Sequence, residues 1–309
     1  MKVNWEGVMP AMTTAFTEDD RLDLDTLGIN LRAQLNAGVS GIILGGTLGE
    51  ASTLSEDEKG TLVQFAVGEL RGSIPVICNI AEQATAAAVR AAQLAEKQGA
   101  QGLMLLPPMR YRATDREVIA YFEAVARETS LPVMIYNNPV DYRIEVTPGM
   151  FEVLLKHENI QAVKESTRDI TNIHRLKDRF GDRLRILCGV DTLALESFLM
   201  GAHGWVAGLV CAFPAETVAI YQLAMAGRVQ EALIIYRWFM PLLELDLSPQ
   251  LVQNIKLAET FTGLGTEFVR LPRMPLQGKD RQAVLDLLDD RLRNRPEIPD
   301  IGQLKGQNH

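Results

Sequence analysis

A lysine stands where a buried strand should be apolar. In the stretch IQAVKES, Ile160 to Ser166, small and β-branched residues lead into Lys164, and an ammonium group in such surroundings is costly to bury. Loss of hydration favours the neutral amine. A neutral amine can attack a carbonyl carbon to form an imine, and the protonated imine draws electrons from the adjacent carbon. That chemistry also needs a group to move protons and a cradle for a carboxylate. Tyr136, in the run PVMIYNNP, offers a hydroxyl for the first task. The loop GGTLGE, residues 45–50, offers the Thr47 hydroxyl and a row of backbone N–H groups for the second. Each feature also has a plainer reading. Taken alone, Lys164 is equally well an ion-paired buried lysine, and Tyr136 reads more readily as a packed aromatic with a satisfied hydroxyl. GGTLGE reads more readily as a tight turn whose Glu50 suits the dipole of the following helix.

The elements that must position these side chains follow from the hydropathy pattern. Short apolar, largely β-branched runs occupy 7–16, 41–46, 75–80, 102–108, 132–139, 160–166, 184–191 and 204–213. They read as strands buried on both faces, as in a parallel sheet. Between them lie stretches of helical period, such as the one ending at Gly38 and the one opened by Ser55 as N-cap with Gly72 beyond its end. Each βα unit takes roughly 25–35 residues, so the alternation predicts an α/β fold of the (β/α)8 TIM-barrel type with a C-terminal helical extension. The boundaries are a catalytic barrel over 1–226 and an extension over 227–309, packed on the barrel and a candidate for self-association, with a frayed polar tail near GQLKGQNH. In such barrels chemistry sits at the C-terminal ends of the strands, which is where GGTLGE, Tyr136 and Lys164 fall.

Composition removes several alternatives. The 309-residue chain carries a net charge of -8, which disfavours nucleic acid or an anionic membrane as the main partner and favours a small molecule. The opening MKVNWEGVMP lacks the apolar core of a secretory signal, and no apolar run reaches the ~18 residues of a spanning helix, so a cytoplasmic protein is expected. Cys78, Cys188 and Cys211 form no CxxC pair and read as buried free thiols. Four scattered histidines and no carboxylate cluster at the strand ends predict no metal, and the lack of a Walker A or GxGxxG motif predicts no nucleotide cofactor.

Three motifs at these barrel positions together resemble the dihydrodipicolinate synthase and N-acetylneuraminate lyase family of lysine Schiff-base barrels. They are GTLGE at 46–50, YNNP at 136–139 and AVKES at 162–166, with CGVD at 188–191 as a weaker echo. The resemblance spans essentially the whole chain. It implies Lys164 as the imine-forming residue, Tyr136 as acid/base, and Thr47 with the amides around Leu48 as holder of the substrate carboxylate. By the same matching Gly46, Thr47, Leu48, Asn138, Arg143 and Val206 contact substrate, and the assembly is a homotetramer, a dimer of dimers, without metal or organic cofactor.

This sequence departs from the synthase at the substrate end. The second loop hydroxyl is replaced by Leu48. Met109 stands near the place of the tyrosine that completes a relay across the synthase dimer, with Tyr111 displaced from it. Asp141 occupies the position of a substrate-binding arginine, Arg143 being shifted by two. The imine machinery is kept while the second substrate's site changes. The expected activity is therefore a Schiff-base lyase or hydro-lyase on a 2-oxo acid or cyclic imino acid, most specifically a 1-pyrroline-4-hydroxy-2-carboxylate deaminase. The alternatives are 4-hydroxy-tetrahydrodipicolinate synthase using pyruvate and aspartate semialdehyde, a 2-oxo-3-deoxy sugar-acid dehydratase or aldolase, and a non-catalytic barrel that binds a 2-oxo acid. Whether Tyr111 or Tyr142 reaches a neighbouring subunit's site stays open at this stage.

Overall fold

A computed structural model of the protein describes residues 2–299; the polar tail at the C-terminus lies outside them. Eight strands form one parallel sheet: β1 (Gly7–Pro10), β2 (Ile42–Leu44), β3 (Val76–Ile80), β4 (Gly102–Leu105), β5 (Val133–Asn137), β6 (Ile160–Glu165), β7 (Arg185–Cys188) and β8 (Gly204–Ala207). β1 pairs with β8, and the circle closes where Ala11 bridges Ile43 and the Met12 N–H donates to the Ile43 carbonyl at 2.9 Å. The expected (β/α)8 barrel is what the chain forms, with each strand shorter than its apolar run because several runs continue into the loops at the barrel mouth.

Helices follow the strands in turn: α1 (Leu24–Ala37), α2 (Glu56–Leu70), α3 (Thr85–Lys97), α4 (Asp115–Arg127), the one-turn α5 (Pro139–Tyr142), α6 (Pro148–Leu154), α7 (Thr171–Phe180), α8 (Ala194–Leu199) and α9 (Pro214–Met225). Their ends are written locally. Asp23 caps α1 and left-handed Gly38 stops it, while Ser55 and Glu58 form a reciprocal capping box on α2. After α9 come α10 (Val229–Leu243), a 3-10 turn at Glu244–Leu247, α11 (Leu251–Thr262) and α12 (Gly278–Arg293).

Strand side chains alternate between two apolar layers. Residues such as Val163, Ile135 and Leu103 face the helices, whereas Met9, Ile43, Ile77, Met104, Met134, Ala162, Leu187 and Val206 fill the barrel with Tyr136. Val3 and Trp5 belong to this inner cluster, and the Trp5 indole N–H donates to Gln161 Oε1 at 3.1 Å. The register of β6 shifts against Val133 and Met134, so Val133 faces Ile160 while Met134 faces Ala162. This bulge lets Ile160 pack toward the helices while Ala162 packs inside. Lys164 follows Ala162 by two residues and therefore points into the barrel, directly across from Tyr136.

Candidate active site

The C-terminal ends of the strands surround a cavity open to solvent and lined by Gly46, Thr47, Leu48, Tyr136, Lys164 and Val206 among others. β6 delivers Lys164 to its floor, where the side chain is buried. The ammonium nitrogen lies 4.1 Å from the centre of the Tyr136 ring and has no hydrogen-bond or ion-pair partner among the described residues. Burial pushes its pKa below the ordinary lysine value, with Tyr142, Asp246 and Asp191 pulling the other way. Gly189 makes the room: a Cβ there would come within 2.6 Å of Lys164 Cγ and 2.7 Å of its Cε. The glycine of CGVD thus serves the lysine sterically. Its aspartate, Asp191, serves the neighbouring loop by accepting from the Trp205 indole at 2.8 Å, the Gly208 N–H at 3.1 Å and the Leu209 N–H at 3.0 Å.

Burial raises the Tyr136 phenol to about 12, so it is a neutral donor at ordinary pH. Asn138, at the N-cap of α5, donates Nδ2–H to the Tyr136 oxygen at 3.2 Å and to Asp141 Oδ2 at 2.7 Å. Asn138 therefore acts on the phenol and on Asp141 at once. Ser166, buried two residues beyond Lys164, also lines the cavity, and its hydroxyl lies close enough to Tyr136 to favour the phenolate slightly.

On the opposite side, GGTLGE turns back over the mouth. Among the described residues no acceptor takes the N–H groups of Thr47 or Leu48, so both are available to an anion. The Thr47 hydroxyl pairs with the Tyr142 hydroxyl at 2.8 Å, and the Tyr142 ring meets Tyr136 edge-on with centroids 5.5 Å apart. Tyr142 therefore reaches its own chain's site. Glu50, at the loop's end, does not serve the next helix's dipole; it is buried with Oε1 2.7 Å from Lys256 Nζ of α11.

The structure thus gathers Lys164, Tyr136, Gly46, Thr47, Leu48, Asn138 and Val206 around one cavity. Arg143 is the exception. It ends α5 in the left-handed conformation (φ 58°), is exposed, and lines an outer groove with Met109, Tyr111 and Glu145. The arginine at the cavity is Arg168, beyond β6. Sequence reading also passed over Tyr142 as a partner for Thr47, Ser166, and Asp246 in the turn after α10. Ser166 was in view within AVKES, but nothing in the sequence folds residue 246 back over the barrel. No group of three or more His, Cys, Asp or Glu among the described residues is arranged to hold a metal ion, and no helix among them is long and apolar enough to cross a membrane.

Comparison with known proteins shows the family to which the chain belongs. The model of the dihydrodipicolinate synthetase family matches residues 4–291. A 4-hydroxy-tetrahydrodipicolinate synthase of Exiguobacterium sibiricum is 31% identical over 92% of this chain and 96% of its own. One from Xanthomonas campestris pv. campestris is 34% identical over 73% of this chain and 75% of its own. The crystal structure of dihydrodipicolinate synthase from Aquifex aeolicus superposes with a TM-score of 0.88 at 28% identity, covering 92% of this chain and 97% of that one.

Proposed function

We propose, from the premise that this chain belongs to the dihydrodipicolinate synthetase family and is a class I aldolase-like lyase, that Lys164 forms an imine with a 2-oxo acid or exchanges with a cyclic imine. The most specific reading is a 1-pyrroline-4-hydroxy-2-carboxylate deaminase. The observation that carries the Schiff-base reading is the Lys164 amine without a bonded partner, 4.1 Å from the Tyr136 ring centre and in one cavity with the open N–H groups at Thr47 and Leu48; the deaminase reading rests on the changes at Leu48, Met109 and Asp141.

The substrate carboxylate would lie against those N–H groups and the Thr47 hydroxyl, which presents the 2-carbon to Lys164. Attack by the neutral amine on the cyclic C=N bond opens the ring and leaves its nitrogen as a free amine on C5. Loss of a proton from C3 gives the enamine, and the enamine expels the 4-hydroxyl as water. Isomerisation to a C5 imine, followed by addition of two waters, releases ammonia and 2-oxoglutarate semialdehyde and restores Lys164. Tyr136, neutral and within the cavity, is suited to pass these protons, and Tyr142 extends the hydroxyl path to Thr47. Asp141 in the strand-five loop supports a substrate whose far arm is not a carboxylate.

The second reading is the synthase itself, favoured by the names of the two curated relatives. Steady-state turnover separates the two: the deaminase reading expects ammonia release from the cyclic imine, and turnover of only pyruvate with aspartate semialdehyde would replace it. A homotetramer belongs to the same reading and is checked by sedimentation.

A further inference from the structure

Asp246 is a cavity carboxyl that the proposed reaction leaves without a task. It sits in the 3-10 turn Glu244–Leu247, outside the alternating barrel, yet lines the same cavity as Lys164, Tyr136, Asp141 and Arg168. The carboxyl group is seated tightly: a Cβ on Gly208 would come within 2.7 Å of its Oδ1. Gly208 has φ -95° and ψ -56°, a conformation open to any residue, so the missing side chain leaves room for this carboxyl rather than relieving the backbone. Among the described residues Asp246 has no hydrogen-bond or ion-pair partner, although it is half-buried. A sheltered carboxyl without a partner is costly unless something else completes it.

The cavity is therefore two-ended. At Thr47 and Leu48 it presents unpaired donors. Along Asp246 and Asp141 it presents acceptors, with the Arg168 guanidinium beside them; Asp141 is held by Asn138, and among the described residues Asp246 has no hydrogen-bond partner. Burial and the neighbouring Asp191 and Asp141 push Asp246 up to about 8, while Lys164 and Arg168 pull it down. A protonated imine at Lys164 places a fixed positive charge on that side and favours the carboxylate form when substrate is bound.

We propose that Asp246 determines specificity by accepting hydrogen bonds from a hydroxyl- or ammonium-bearing arm of the imine-bound substrate and by disfavouring an arm that ends in a second carboxylate. This inference rests on the Schiff-base reading. It extends that reading from the reaction to the class of substrate: a 2-oxo acid or its cyclic imine whose distal atoms are donors.

The test is borohydride trapping on the full-length protein with pyruvate, 2-oxoglutarate and 4,5-dihydroxy-2-oxopentanoate, read by intact mass across a concentration series. In the wild type the dihydroxy acid should half-saturate trapping at a concentration about tenfold or more below that for 2-oxoglutarate, as like-charge contacts require. In Asp246→Asn that ratio should fall about tenfold. Gly208→Ala, which displaces the carboxyl without removing it, should lower the ratio in the same direction, and the pyruvate adduct shows that each variant folds and reacts. A ratio unchanged in both variants while pyruvate is trapped would overturn the role of Asp246 and leave the Schiff-base reading standing. Failure of the wild type to trap pyruvate at all would remove that reading and this inference with it.

Discussion

Among the described residues two lysines are buried on apolar stretches, and their surroundings differ in one respect. Lys256 of α11 is 0% exposed, 2.7 Å from Glu50 Oε1, bonded to the Phe268 carbonyl and 4.5 Å from the Phe16 ring centre. Lys164 is 8% exposed and also stacks on an aromatic ring, but no carboxylate pairs with it. Burial lowers both pKa values, but at Lys256 the Glu50 carboxylate opposes it through a direct hydrogen bond, and removing either partner strands the other. At Lys164 the opposing Tyr142, Asp246 and Asp191 act through space alone. The lack of a directly bonded carboxylate, more than depth, supports Lys164 as the proposed nucleophile. The two are also connected, since Glu50 ends the loop that begins with Gly46 and Thr47. The structural lysine fixes the cradle against which the reactive one would work.

The sharpest way to break the contrast is to replace both lysines by methionine. Lys164→Met should abolish turnover by roughly 10⁴-fold or more, as loss of a covalent nucleophile does, with no fall in melting temperature. Lys256→Met should act in the opposite sense: loss of about 3–5 kcal/mol of stability from a stranded Glu50, seen by denaturant titration, with pyruvate still trapped wherever the protein is folded. Matching effects at the two positions would erase the distinction.

Tyr142→Phe removes the hydroxyl paired with Thr47. Loss of one such bond, about 1 kcal/mol, should raise KM by roughly tenfold or less in steady-state assays, whereas Tyr111→Phe, altering a residue 55% exposed in the outer groove, should leave KM within error. The smallest effect expected is on pH dependence. The attacking amine must be neutral, so imine formation rises with pH through the Lys164 pKa. Because Asp246 raises that pKa, Asp246→Asn should move the acid limb to lower pH in rapid-quench trapping; movement to higher pH would contradict the stated electrostatics.

The barrel was legible because its strands are continuous apolar runs and its helices carry their own caps, such as Ser55 with Glu58. Lys164 and Tyr136 were legible because a charge and a hydroxyl on such runs have few plain explanations. What escaped depended on distance in the chain or on local backbone. Asp246 is brought over the mouth by the path from α10 into α11, which no period encodes. Arg143 was expected to contact substrate although its spacing from Pro139 is off by two, and its own left-handed conformation at the end of α5 leaves it in the outer groove. Glu50 looked like a helix-dipole partner because its true partner, Lys256, lies 206 positions away.

Borohydride reduction in the presence of pyruvate, followed by peptide mapping, tests most directly whether Lys164, and not Lys256, is the nucleophile. One carboxyethyl-lysine per chain is expected, on the peptide containing Lys164 and absent from Lys164→Met; no adduct, or an adduct that persists in that variant, would contradict the Schiff-base reading.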